Sequence, residues 1–309
     1  MSSPAASGAG RTDCAIGIDV GGTNVRAGLV RRDGAVIEEH AERHDHRPLE
    51  QSVELARSLG AVAEARGCDL AGIGVGVPEL VTPDGRVVST AVLDAASVEV
   101  GAALEGIAPT RVDADVRCAA MAEASLGAGA PSSSLLYVSV GTGISSCLVL
   151  DGRPWRGERG NALVLGSGGG IDVAESGGEV RTLPVEDVAS GPALAHRYSQ
   201  ASGHHLVPAE EAIERVRHGD AIAADTVAVG ARVLGARVAQ AINLLDPGMV
   251  VMGGGLGSAP GPYWSTMSTT VRELIWAEQT RDLPLERARL GPTAGMIGAA
   301  LLCLTDESG

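Results

Sequence analysis

Ala15-Ile16-Gly17-Ile18-Asp19-Val20, then Gly21-Gly22-Thr23-Asn24, then Val25-Arg26-Ala27-Gly28-Leu29-Val30, closing at Asp33-Gly34, is the stretch whose reading decides the fold. It predicts a strand, a Gly-Thr turn, a second strand and a turn led by Asp-Gly. The same order returns in Leu136-Tyr137-Val138-Ser139-Val140, Gly141-Thr142-Gly143, Ile144-Ser145-Ser146-Cys147-Leu148-Val149-Leu150 and Asp151-Gly152. A hairpin duplicated at this separation implies two similar lobes, each offering a glycine-rich turn to one cleft. Glycines let a backbone come close to an anion, so successive N–H groups can cradle a phosphate, and a Thr hydroxyl adds a donor. Two such turns in matching contexts favour phosphate binding over two ordinary hairpins.

Working outward, Leu49 to Arg66 has helical spacing, and Leu70 to Val77 reads as a buried strand ending at Pro78. Val87-Val88 begins a short strand after the Pro83-Asp84-Gly85 turn. A strand ends at Val112 and a helix follows from Val116 to Leu126. The chain is largely helical from Asp187 to Leu245. Strand Met249-Val250-Val251-Met252 then breaks into Gly253-Gly254-Gly255. Helices at Val271 to Ala277 and Ala294 to Leu304 flank a segment near Leu290. Alternating strands and helices give an α/β class. The lobes are expected at 14–113 with 294–309, and at 114–293, after a frayed tail over 1–13.

Composition narrows the function. The 309 residues carry a net charge of −14, which excludes the clustered cations that nucleic acid demands. Lysine is absent, so all 24 basic residues are arginine, a coding bias rather than a functional sign. Cys14, Cys68, Cys118, Cys147 and Cys303 are scattered, without disulfide or zinc spacing, and suit a reducing cytosol. There is no apolar leader and no run of membrane-helix length, so a cytoplasmic protein without membrane partners is expected.

Three positions carry chemistry. Asp19 follows a buried strand and directly precedes the first glycine turn. It could hold a magnesium-bound water beside a triphosphate, or cap its own turn. Gly253, Gly254 and Gly255 would let adenine and ribose lie against the backbone at a helix start, or form a plain connection. In Val112-Asp113-Ala114-Asp115-Val116-Arg117, Asp115 is the candidate general base for a hydroxyl attacking a γ-phosphorus, and also a possible helix N-cap. Asp113 reads as solvated or structural.

These segments, with Gly74-Val75-Gly76-Val77-Pro78, Ala119-Ala120-Met121-Ala122-Glu123, Asn243-Leu244-Leu245-Asp246-Pro247 and Ala294-Gly295-Met296-Ile297-Gly298-Ala299-Ala300, form an ordered set that resembles the ROK family (repressor, open reading frame, kinase). The resemblance covers about Ala15 to the C-terminus. It implies an actin-like, two-lobed fold of RNase-H type, ATP with magnesium, and phosphorylation of a hexose, usually at the 6-hydroxyl. It also implies a homodimer. The nucleotide side falls on Asp19, Gly21, Gly22, Thr23, Asn24, Gly141, Thr142, Gly143, Gly253, Gly254 and Gly255.

The acceptor side falls on Pro78, Glu79, Ala114, Asp115, Val164 and Ser167, and here the sequence departs from the family. In the family's Asn-Asp-x-Asn motif the Asp, which is the base, is Asp115, but the Asn positions are Ala114 and Arg117. In its Gly-Glu-Ile-Gly-His segment the sugar-binding Glu is Val164 and the His, a sugar or zinc ligand, is Ser167. The following cysteine cluster is missing, so no structural zinc is expected. Glu79 stands where the family usually has Gly. A site rewritten on the hydroxyl-gripping side disfavours glucose. Glu79 and Asp113 could supply negative charge to a cationic amine, which suits an amino sugar such as kanosamine. Glu79 could equally be a solvated loop carboxylate, and a C7-cyclitol is the alternative acceptor. Two other classes compete. A repressor would need a helix-turn-helix module, for which the roughly fourteen residues before the first strand are too few. A sugar sensor without turnover would have no need of Asp115.

Overall fold

The computed structural model describes residues 12–43, 47–94, 99–168, 170–174, 179–203 and 205–305. The chain divides into two compact units, Met1–Ala119 with Gly295–Gly309, and Ala120–Ala294.

The first unit is built on a sheet of β1 (Thr12–Val20), β2 (Asn24–Arg31), β3 (Val36–Arg43), β4 (Cys68–Val77) and β5 (Thr110–Ala114), in the order β3-β2-β1-β4-β5. β1, β2 and β3 are antiparallel neighbours, while β1, β4 and β5 run parallel. α1 (Pro48–Ala65) buries Leu55, Ala56, Leu59 and Ala63 against Ile16, Ile18, Leu29, Ile73 and Val75. α2 (Val100–Leu104) adds Val100 and Leu104 to the same core, and α3 (Asp115–Leu126) opens directly after β5.

The second unit repeats the plan. After β6 (Ser134–Val140), β7 (Ile144–Leu150), β8 (Arg153–Pro154), β9 (Gly170–Ala174) and β10 (Val180–Pro184) come α4 (Glu186–Ala189), α5 (Gly191–Ser202), α6 (Ala209–Arg217) and α7 (Ala221–Leu245). β11 (Met249–Gly253), α8 (Pro262–Leu274), β12 (Leu285–Arg287) and the closing α9 (Ala294–Leu304) follow. The larger sheet has the order β8-β7-β6-β11-β12, with β6–β7–β8 antiparallel and β6–β11–β12 parallel. Strand for strand this is the topology of the first sheet, so the sequence repeat is a repeat of architecture. Both turns led by Asp-Gly form: Gly34 has φ +82°, and Asp151 and Gly152 both have positive φ, the conformation that twists a tight hairpin correctly. A separate core joins Leu136, Val138, Val250 and Met252 to α7 and α8 through Leu234, Val238, Ile242, Met267 and Val271.

α9 belongs to the first unit and sets its geometry. A Cβ on Gly17 would lie 1.9 Å from the Met296 carbonyl oxygen, and one on Gly74 would lie 1.7 Å from that of Ala299. On α9 itself, a Cβ at Gly298 would lie 1.8 Å from the carbonyl oxygen of Cys118 in α3. Backbone therefore meets backbone on β1, β4 and α3, a contact open only to glycine.

Several expectations change. β1 already runs at Thr12, inside the supposed tail, whose residues 1–11 lie outside the described ones. The helix expected at Val271 to Ala277 is α8, which starts earlier at Pro262, where proline suits a first helical position, and stops at Leu274. Val87 forms only an isolated bridge with Val81. The β9–β10 pair was not foreseen, and β3 was missed because its mostly exposed sequence lacks an apolar alternation.

Candidate functional site

Within the first unit, the ends of β1 and β5 bring two carboxylates together. Asp19 is the last residue but one of β1, and Asp115 opens α3. Gly76 on β4 lies between them: a Cβ there would sit 3.3 Å from the Asp115 Cα and 3.7 Å from Asp19 Oδ1. A Cβ on Gly295, in the first turn of α9, would meet Asp19 Oδ2 at 2.4 Å, so the carboxylate rests on a helix N-terminus. Burial and the neighbouring Asp115 charge push the Asp19 carboxyl up to about 7, against the pull of Arg26. Burial likewise pushes Asp115 up to about 6; the Val116 amide and Arg117 oppose the shift and Glu79 adds to it. Asp115 Oδ1 also accepts the Val116 amide at 2.5 Å, so the carboxylate binds its own helix start.

The surrounding acceptor-side residues are rearranged relative to expectation. Asp113 is not solvated. It is 1 % exposed, and its Oδ1 accepts from Arg117 Nε at 2.5 Å and from the Ala114 amide at 2.8 Å. Its charge is answered inside the protein, which withdraws it as a partner for a substrate amine. Glu79 is not a solvated loop carboxylate either, being 5 % exposed. Its Oε1 accepts the amides of Val92 (2.6 Å) and Leu93 (2.7 Å), and its Oε2 accepts the Ala91 amide (2.8 Å) and the Ser89 hydroxyl. Burial opposes its ionisation, yet Ser89 and the three amides outweigh burial and hold the carboxyl below its usual range. Four donors fill the usual acceptor sites of a carboxylate, so Glu79 organises the loop that follows β4. That loop reaches the first glycine turn, where a Cβ on Gly22 would meet Val92 Cγ1 at 3.0 Å. Pro78 is half-buried and Ala114 buried at the β5 end.

The first turn keeps Gly22, Thr23 and Asn24 exposed, and is closed by the Gly21 amide donating to the Asn24 carbonyl at 2.8 Å. In the second unit, Gly141 donates to the Gly143 carbonyl at 2.9 Å and its own carbonyl accepts from Gly191 at 2.9 Å, docking the turn on the start of α5. Thr142 and Gly143 are exposed. The triple glycine comes alongside: a Cβ on Gly141 would lie 3.9 Å from the Gly255 amide. Gly254 has φ +75° and sits on the Val140 carbonyl, so it needs both the left-handed backbone and the absent side chain. The expected helix start after Gly255 is instead a single turn, with Ser258 donating to the Gly254 carbonyl at 3.1 Å; α8 begins only at Pro262.

Glu186 is the residue that sequence reasoning missed. Its Oε2 accepts the Ile144 amide at 2.8 Å at the end of the second turn, and its Oε1 receives the Ser167 hydroxyl at 3.4 Å. Val164 and Ser167 are exposed on the same segment, which is pinned by Ser146 donating to the Leu163 carbonyl at 2.6 Å. The available signal was an acidic residue just before the Ser190-Gly191 helix start.

Residues 15–306 match the ROK family. The chain belongs to the ROK family. It is 33 % identical over 300 residues to the kanosamine kinase of Amycolatopsis mediterranei (strain S699), covering 93 % of this chain and 95 % of that one. The ROK hexokinase of Thermus thermophilus superimposes with a TM-score of 0.77 at 31 % identity, covering 93 % of this chain and 97 % of the other. A ROK family glucokinase from Streptomyces griseus, solved with glucose and AMPPNP, has the same fold, with a TM-score of 0.78 at 23 % identity over 94 % and 98 % of the chains. The two glycine-turned sheets of this ROK chain are thus the mixed α/β, actin-like architecture of sugar kinases.

Proposed function

We propose that this ATP-dependent carbohydrate kinase transfers the γ-phosphoryl of ATP to the 6-hydroxyl of an amino sugar of the kanosamine type. Asp115 is the base: the acceptor oxygen bonds to the γ-phosphorus, the bond from that phosphorus to the β,γ-bridging oxygen breaks, ADP leaves, and the hydroxyl proton passes to the carboxylate. The observation that carries this reading is the pair of carboxylates at the ends of β1 and β5, Asp19 and Asp115 on either side of Gly76, with Asp115 at the head of α3. Burial that raises its carboxyl to about 6 agrees with the role of a base ionised at neutral pH.

Asp19 fits the cation that accompanies ATP. It is a half-buried carboxylate strained upward by burial and by Asp115, which added positive charge would relieve. Magnesium held there through water would neutralise phosphate charge. Gly21, Gly22, Thr23 and Asn24, with Gly141, Thr142, Gly143, Gly253, Gly254 and Gly255, are assigned to the nucleotide. The preference for kanosamine rests on the 33 % identical kanosamine kinase and on the exposed, apolar Val164 on the acceptor side. It no longer rests on Glu79 or Asp113, whose charges are committed within the protein.

The test is ADP release with magnesium-ATP over kanosamine, glucose, glucosamine, N-acetylmannosamine and C7-cyclitols, repeated with Asp115→Asn. Turnover should be highest with kanosamine and fall about 10²–10⁴-fold in the variant, with ATP binding kept. Silence across the panel defeats the kinase assignment, and an active variant removes Asp115 from its role.

A further inference from the structure

Arg117 stands two residues into α3, where the resembling family has an asparagine, and it is only 6 % exposed. One guanidinium joins three pieces of chain. Nε donates to Asp113 at the end of β5 (2.5 Å), and Nη2 donates to the Val81 carbonyl (2.7 Å) in the segment that follows Glu79. Arg117 itself belongs to the first turn of the helix that Asp115 opens. Asp113 in turn receives the Ala114 amide, so Asp113 and Arg117, on either side of the β5–α3 junction, are held to each other. A buried ion pair is weak support for stability, because two well-packed apolar residues often do as well. A planar fork that reaches a carboxylate and a carbonyl at once gives geometry, which a lysine's point charge does not.

We propose that Arg117 is a positioning residue of the phosphotransfer: by holding Asp113 and the Val81 carbonyl together it fixes the first turn of α3 and the direction of the Asp115 carboxylate. The inference rests on Asp115 being the base. The charged groups around that carboxylate are Asp19 from β1, Glu79 after β4, Asp113 from β5 and Arg117 itself, with the Cys118 thiol beside them.

The test uses the full chain and the panel sugar with the highest turnover. Four variants are compared: Arg117→Lys, Arg117→Met, the double variant Asp113→Asn with Arg117→Met, and Asp115→Asn. A misdirected base should cost Arg117→Met about 10²-fold in kcat and Arg117→Lys about tenfold, with KM for ATP within about twofold of the parent. Arg117→Met strands a buried carboxylate and lowers the melting temperature. The double variant removes that charge, so it should melt close to the parent while keeping the loss in kcat. Recovery of kcat together with stability in the double variant overturns the proposal, since Arg117 would then only neutralise Asp113. A double variant that fails to regain its melting temperature also overturns it, because the Val81 contact would then serve folding. Arg117→Met active within about threefold of the parent sinks the positioning role alone. Unimpaired turnover in Asp115→Asn sinks the base assignment instead.

Discussion

Asp19 and Asp115 make activity and stability respond to pH in opposite directions. The base must be ionised, so kcat/KM should fall about tenfold per unit below pH about 6, the value to which burial raises Asp115. A pH–rate profile flat down to pH 5 would exclude a base so placed. For folding the sign reverses. Both native carboxyls lie above their unfolded values, so the folded state holds protons more tightly between pH about 4 and 7. Their contribution to stability is complete below that window and is lost as pH rises through it. Replacing Asp115 by Asn removes its own penalty and part of that on Asp19. The variant should therefore be roughly 3 kcal/mol more stable than the parent in urea at pH 8, and close to it near pH 4. The place of Asp115 at a helix start was legible from sequence, because a strand ends just before it and a helical pattern follows. Glu79 was misread because it is a polar residue in a connection whose surrounding donors no local pattern announces, whereas Asp113 took the structural one of its two readings through its pair with Arg117.

At the scale of elements, glycine carries the architecture. Gly298→Ala would place a methyl 1.8 Å from the Cys118 carbonyl oxygen, backbone that cannot yield, so α9 or α3 must move. We expect a loss of roughly 1–3 kcal/mol in chemical denaturation, and a fall in kcat because α3 begins with Asp115. A variant as stable as the parent would show that the two helices slide freely. Glu79→Gln places an amide nitrogen among three backbone donors. It should cost about 1.5–3 kcal/mol and speed proteolysis near Ser89–Leu93; unchanged protection would mean the loop holds itself. The hairpins were readable because their signals are local, a glycine turn between two apolar runs. Among the described residues β9 and β10 pair only with each other and carry no such signal, and α8 was placed too late because its buried stripe of Tyr263, Met267 and Val271 starts among hydroxyl residues rather than in an aliphatic run.

For the whole molecule, two sheets of identical strand order carry two separate cores, and the duplicated hairpin alone announced this. The division at Ala119 falls inside α3, where no sequence signal marks it. The first unit is discontinuous, and α9 completes it. Deleting residues 294–309 should leave amides of β1 and β4 exchanging rapidly with solvent while those of β6 and β11 stay protected. Equal protection in both sheets would show that α9 is dispensable.

During translation, everything from Ala120 to Thr293 is synthesised before the helix that completes the first unit. Proteins usually mature from the leading end. Here the first unit cannot close on its own leading segment, because the glycines of β1 and β4 meet their partner backbone only in α9.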